Sequence, residues 1–187
     1  MKIGYFINHF PYKINKINYT QYWCGGSGNA AYYLATHMAL RGHEISVFTT
    51  SINSKASIEQ YENIVIYRYP TNFKIKNASM SFGMFKNAPR VKIDILHAHL
   101  TNSVNEFIIP RYTKRKNIPL VVTYHGDPEK DMGGFIYKVG VYFYVRYILD
   151  KILSLADIII SPSEHYINES RYLKKYRDKI KVIPNGI

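Results

Sequence analysis

The stretch that decides the fold is "IPLVVTYHGDPEKDMGG", Ile118 to Gly134. Leu120, Val121 and Val122 open an apolar run that Pro119 and Gly126 bound, too short for a helix. Short continuous apolar runs between turn signals are strands buried on both faces, as in parallel sheets. His125, Gly126 and Asp127 stand where this strand ends. Gly133 and Gly134 mark a mobile loop, and an apolar helical segment runs from Gly134 to Leu155.

The same alternation extends in both directions. Towards the N-terminus, "KIGYFIN" (Lys2 to Asn8), "HEISVFTT", "NIVIYRYP" and "IDILHAH" read as strands, and Pro70 closes the third of them. Between the first two, Ala31, Leu34, Ala35 and Met38 fall on one helical face, with Gly42 as the stop signal. The segment Ser103 to Asn117 reads as a helix capped by Ser103, which Pro110 should kink or end. Towards the C-terminus, "ADIIISPS" is a strand, and Ser161, Pro162 and Glu164 read as a capped helix start. "KIKVIPNG" is the last strand, and Thr71 to Lys92 shows no periodicity. Strands alternating with helices predict an α/β fold: a Rossmann-like, doubly wound parallel sheet with helices on both faces. Ligands of such sheets bind beyond the carboxyl ends of the strands, so the residues that follow each strand carry the function.

Composition limits the alternatives. The 187 residues make one domain of globular composition, 47% hydrophobic. A lone cysteine, Cys24, excludes an intrachain disulfide and fits a reducing cytoplasm. The N-terminus lacks a signal-like apolar core, and Lys138 and Arg146 interrupt the longest apolar segment, which argues against a spanning helix. The net charge of +12 fits a polyanionic partner, and equally a soluble, Lys-rich surface.

Three constellations could carry chemistry. In "WCGGSGNAA", Gly26, Gly28 and Ala31 satisfy the letters of a dinucleotide motif, but the glycines stand too far from the first strand, and no acid closes the second. A nicotinamide site is therefore rejected. A glycine-rich helix start remains, able to receive an anion or simply to turn the chain. His97 and His99 share one side of a strand, without the Cys, Asp or Glu that would complete a metal site. His125 and Asp127 could hydrogen-bond a sugar or phosphate, while no serine or cysteine accompanies them in a nucleophile motif, which argues against a hydrolase.

These pieces, in order, resemble the N-terminal half of family 4 retaining glycosyltransferases, which have a GT-B fold. The matching stretches are Gly25-Gly26 opening a helix, "LATHMALRGHEISVFT", "DILHAH", "VVTYHG", "ADIIISPSE" and "KIKVIPNGI". The resemblance implies that residues 1–187 are the acceptor-side domain, ending at the interdomain linker. A C-terminal domain carrying the main donor-binding residues would complete the enzyme, and the isolated piece would be inactive. The full-length protein would move a hexose from a nucleotide-diphosphate sugar to an acceptor hydroxyl with retention, without metal or cofactor. By the same resemblance, Gly25 and Gly26 bind the donor diphosphate, and His125 contacts the transferred sugar as the catalytic residue of this half. Trp23, His99 and Asp127 are assigned to the acceptor, Trp23 because aromatic residues (Tyr12, Tyr19, Tyr22) crowd its loop.

The acid-free stretch Thr71–Ile93 mixes lysines with phenylalanines, and "RYTKRK" adds charge at Arg111 to Lys116. That patterning suits either peripheral contact with the inner face of an anionic membrane, and hence a lipid-linked acceptor, or an ordinary packed surface. The rival reading is a non-catalytic basic module for nucleic acid or membrane. No nucleic-acid motif supports it, and no nucleic-acid partner is expected.

Overall fold

The computed structural model describes residues 1–12, 24–75, 78–129 and 134–185. β1 (Lys2–Phe6) leads to α1 (Gly25–Leu40) and β2 (Glu44–Thr50). Next come β3 (Ser57–Tyr61), β4 (Ile64–Tyr69), β5 (Phe73–Ile75), β6 (Ala78–Met80) and α2 (Phe82–Asn87). β7 (Ile95–Leu100), α3 (Ile108–Lys116) and β8 (Leu120–Tyr124) follow. The chain continues through α4 (Phe135–Phe143), α5 (Asp150–Leu155), β9 (Ile158–Ser161), α6 (Glu164–Glu169) and β10 (Ile180–Val182).

Eight strands form one sheet in the order β10-β9-β8-β7-β1-β2-β4-β3. All neighbours are parallel except β3, which pairs antiparallel with β4. Both faces of the sheet are covered. Ala31, Ala35 and Ala39 of α1 pack on Ile3, Tyr5, Val47 and Ile66 on one side. On the other, α3 and α5 bury Ile109, Tyr112, Ile152 and Leu153 against Leu96, Ala98, Val122 and Ile159. The doubly wound sheet read from the sequence is the one observed.

Local details differ from the sequence reading. Leu34 is exposed, and α1 turns Ala31, Ala35 and Ala39 inward, small residues that bring the helix close to the sheet. Gly42 ends α1 as expected: its φ is 83°, and the amides of Gly42 and His43 bond to Ala39 and Met38 carbonyls. Ser103 caps a 3₁₀ turn (Val104–Phe107) in a full capping box with Glu106, and α3 follows directly. Pro110 does not end that helix; it lies in the first turn of α3, where a missing N–H is harmless. The cap of α6 is Ser163, whose side chain accepts from the Tyr166 amide, and Ser161 belongs to β9. The sequence reading missed the antiparallel β3, which joins β4 through the two-residue turn Glu62–Asn63. It also read the aperiodic Thr71–Lys92 stretch as irregular, whereas the structure places β5, β6 and α2 there.

Candidate functional site

The strand order reverses between β1 and β7: from β1 the chain moves outward to β2, and from β7 it moves the other way to β8, β9 and β10. The loops that leave β1 and β7 therefore diverge and open a crevice at the carboxyl edge. Polar side chains span it. Asn8, two residues past β1, accepts at Oδ1 from Asn105 Nδ2 (2.6 Å) and Ser103 Oγ (3.1 Å). Its carbonyl accepts from Thr49 Oγ1 and Thr50 Oγ1 at the end of β2. Asn105 also donates to the Ser79 carbonyl and accepts from the Ser81 amide. One buried network thus fixes the ends of β1, β2, β6 and β7 relative to each other. Sequence spacing gives no hint of it, because its members lie up to 97 positions apart.

Glu106 anchors the next layer. Its Oε1 accepts from the amides of Thr101 (2.7 Å) and Ser103 (3.0 Å), and its Oε2 accepts from the Tyr144 hydroxyl. Burial pushes the Glu106 carboxyl up to about 7, against the downward pull of Tyr144 and the two amides. Tyr144 opens a π-helical turn (Tyr144–Leu149) that joins α4 to α5 in one continuous helix. The Gly134–Leu155 helix expected from the sequence is present with this insertion.

The histidines form a stack. His97 and His99 do lie on the same side of β7, with ring centroids 4.6 Å apart. The His125 ring lies 5.3 Å beyond His99 and nearly parallel to it. His97 Nε2 pairs with Thr123 Oγ1 at 2.7 Å, and His99 Nδ1 pairs with His125 Nε2 at 3.1 Å. Burial lowers His97 and His125 to about 4, with the neighbouring His125 adding to the shift of His97. His99 is lowered well below its ordinary value, by burial first and then by both neighbours. At neutral pH all three rings are therefore uncharged.

Among the described residues, His99 Nε2 is buried and has no partner. One proton lies between His99 Nδ1 and His125 Nε2, and which ring carries it depends on the tautomer. In the arrangement where His99 Nδ1–H donates, a neutral His125 carries its own proton on Nδ1. Asn102, at a left-handed φ of 59°, donates to the Gly126 carbonyl at 3.3 Å, and its Oδ1 is buried without a partner among the described residues.

The other expected site residues are placed as follows. Gly25 opens α1 with φ 66°, a conformation that favours glycine. Among the described residues, a Cβ at Gly26 would meet nothing within 4 Å, whereas one at Gly28 would stand 2.8 Å from the His9 carbonyl oxygen and from Cys24 Cβ. The motif's glycines thus do different work: Gly25 turns, Gly28 lets the helix approach the β1 loop, and Gly26 meets no described residue. His9 Nε2 sits 3.2 Å from Asn8 Nδ2 and 3.4 Å from Ser79 Oγ, and burial, then Lys74, lowers its ring to about 4. Asp127 Oδ1 accepts from Tyr124 (2.8 Å) and Ser170 (2.6 Å), and Oδ2 from the Arg171 amide (3.0 Å). Gly134 is the N-cap of α4. Trp23, with Tyr19, Tyr22 and Gly133, lies outside the described residues. Arg68 pairs with Glu59 in the core. Arg68 also donates to the carbonyls of Phe10 and Pro11 and lies 3.5 Å from the centre of the Tyr12 ring.

A doubly wound sheet with a polar crevice at its switch point and a glycine-opened helix is the Rossmann-like architecture of one half of a GT-B glycosyltransferase. The family model described as Glycosyltransferase Family 4 matches residues 24–187, and the chain belongs to that family. It is 28% identical over 165 residues to O-antigen chain mannosyltransferase C of Escherichia coli, covering 87% of this chain and 42% of that protein. It is 25% identical over 171 residues to N-acetyl-alpha-D-glucosaminyl L-malate synthase of Bacillus anthracis, with the same coverage of both chains. Among solved structures, sucrose-phosphate synthase from Thermosynechococcus elongatus superposes with a TM-score of 0.63 at 15% identity, over 100% of this chain and 48% of its own. Anabaena HepE in complex with UDP-glucose gives 0.64 at 13%, over 100% of this chain and 44% of its own. These two likenesses concern the fold. The chain spans less than half the length of each of these relatives.

Proposed function

We propose that this chain is the acceptor-side domain of an enzyme that transfers a hexose from a nucleotide-diphosphate sugar to a glycan or lipid-linked acceptor, with retention of configuration. The observation that carries the reading is the His99–His125 pair at the crevice of a family 4 domain: two uncharged rings 3.1 Å apart, which leave His125 an N–H for the sugar when His99 Nδ1 donates to it. As the donor bond breaks, negative charge builds on the leaving diphosphate and positive charge on the sugar, and a neutral ring does not repel the oxocarbenium-like sugar as a cation would.

In this reading the face at Gly26 receives the donor diphosphate at the start of α1, where the N–H groups and the helix dipole favour an anion. His99 acts on the sugar through His125. Asp127 keeps a lone pair on Oδ2 for an acceptor hydroxyl while it holds the segment at Ser170 and Arg171. The acceptor proton passes to the leaving diphosphate, so neither metal nor protein base is needed. A second domain completes the donor site. The name of the Escherichia coli relative, an O-antigen chain mannosyltransferase, supports a glycan acceptor, and the complex with UDP-glucose supports a nucleotide-sugar donor, each stated of those proteins. Among the described residues no helix is long and apolar enough to cross a membrane, so contact with a lipid-linked acceptor is peripheral in this proposal.

The test is a donor and acceptor screen on the full-length gene product, with the product's anomeric configuration read by NMR. His125→Ala should lower kcat about a hundredfold, the scale of one lost charge-stabilising hydrogen bond, and move the donor KM much less. A folded variant with near-normal kcat removes His125 from the mechanism. An inverted product overturns retention.

A further inference from the structure

The continuous helix Phe135–Leu155 has two apolar faces. One carries Val141, Tyr144, Leu149, Ile152 and Leu153 into the core. The other is exposed: Phe135, Ile136, Val139, Tyr142, Phe143 and Tyr147 recur at helical spacing along one stripe. Phe135 is 81% exposed and Ile136 86%, among the highest values for any large apolar side chain here. The rings of Phe143 and Tyr147 stack on one another at 5.7 Å in the open.

The surroundings of the stripe are cationic. Lys138, Arg146 and Lys151 are exposed on the same helix. Arg146 also lines a groove of about 280 Å³ with Arg171 and Lys175. The acid in that groove, Asp150, is already bound by Lys175 and by the Tyr176 hydroxyl. α3, packed against α5 in the same layer, exposes Arg111, Lys114, Arg115 and Lys116 and has no acid.

We infer that this stripe is the surface by which the domain docks on an anionic lipid bilayer. Two features favour a bilayer over a protein partner. Lysine and other charges are depleted from the cores of protein interfaces, whereas aromatic residues interleaved with arginine and lysine match the boundary between headgroups and acyl chains. The surplus of cations is complementary to acidic headgroups. Topology gives the stripe a direction: α4 leaves the loop that begins at His125, so Phe135 and Ile136 stand at the carboxyl edge and the stripe runs away from the crevice. A lipid-linked acceptor held in that bilayer would meet the crevice from this end. That last step rests on the transferase reading; the docking surface itself does not. The Thr71–Ile93 stretch, for which the sequence allows membrane contact or an ordinary packed surface, buries Met84 and leaves Phe73 and Phe82 exposed against one another.

Sedimentation of the 187-residue chain with vesicles is the test. The chain should bind phosphatidylglycerol-containing vesicles and not phosphatidylcholine vesicles, and added salt should release it. The triple change Phe135→Ser, Ile136→Ser and Phe143→Ser should weaken binding about tenfold or more, with melting unchanged because the side chains are exposed. The double change Phe73→Ser and Phe82→Ser should bind as the wild type does. If the triple variant does not fold, Lys138→Glu with Arg146→Glu serves instead and should lose the preference for anionic vesicles. Binding that survives these changes, or no binding to anionic vesicles at low salt, overturns the assignment. So does a wild-type dimer that the triple change dissociates, which would make the stripe a self-association face. None of these readouts depends on sugar transfer, so a full-length gene product that transfers no sugar, beside a chain that still binds vesicles, counts against the transferase reading and leaves the surface intact.

Discussion

One proton lies between His99 Nδ1 and His125 Nε2, and assigning it to His99 makes a definite prediction. In wild type, the ring nitrogen shifts of His125 should report Nδ1–H and a bare Nε2. His99→Phe removes the donor and should release His125 to the Nε2–H form, while His99→Gln, which can still donate, should preserve the wild-type pattern. In the full-length enzyme the Phe variant should lose about tenfold in kcat, the equivalent of one hydrogen bond of roughly 1.4 kcal/mol, with glutamine recovering most of it. A wild-type His125 found as Nε2–H would refute the assignment directly. How far this residue scale could be read beforehand depends on locality. His125 and Asp127 announce themselves by following an apolar strand, and the period of two puts His97 beside His99. The stack between His99 and His125 joins two strands, so only the sheet register, which sets His99 against Thr123, reveals it. Asn8, Asn105 and Tyr144 carry no periodic or motif signal at all, because their partners are distant in sequence.

At the scale of elements, the glycines of α1 and the π turn each predict a separable effect. Gly28→Ala should destabilise the domain, because its Cβ meets backbone at the His9 oxygen and cannot be relieved by a rotamer change. Gly26→Ala should leave stability unchanged and raise the donor KM in the full-length enzyme if the diphosphate rests there. Equal melting losses for the two variants would contradict the division of roles. Tyr144→Phe tests the link from the long helix to the crevice. It strips one donor from a buried carboxylate and should cost about 1–3 kcal/mol in urea denaturation. It should also raise the Glu106 carboxyl further, since the tyrosine hydroxyl is the largest of the influences that lower it. An unchanged denaturation midpoint would show that Glu106 is satisfied without Tyr144. Elements were legible where a single local rule governs them, as at Ser103 and Gly42. They were illegible where a short segment borrows stability from elsewhere. β3 is held to the sheet's edge by its hairpin with β4 and by the buried Glu59–Arg68 pair, and neither shows as hydrophobic alternation.

For the whole molecule, the buried uncharged histidines couple the candidate site to stability. The class of fold followed from the sequence because alternating apolar strands and helices admit few packings, whereas the polar network at the switch point exists only once the sheet has assembled. That network should be visible in the pH dependence of unfolding. His9, His97 and His125 are lowered to about 4 in the native state from 6.5, and His99 lies well below its ordinary value. As pH falls below 6.5, the unfolded chain takes up protons that the native state refuses, so stability is lost with acid between about 6.5 and 4. Each group contributes about 1.4 kcal/mol per pH unit across that window. Glu106 has the opposite sign. Its carboxyl is raised from 4.5 to about 7, so the unfolded chain ionises first and stability is lost as pH rises through that range. Four histidines against one glutamate leave a net gain from pH 4.5 to 6.5 and a shallow decline from there to about 7. Urea denaturation at constant ionic strength should therefore show a maximum near neutral pH and a steep acid limb. The double variant His97→Phe and His99→Phe should flatten that limb by about half, because two of the four proton-refusing rings are gone, whatever it does to stability at pH 7. An acid limb as steep in the double variant as in wild type would mean that these rings are protonated in the native state, and with that the neutral donor at His125 would fall as well.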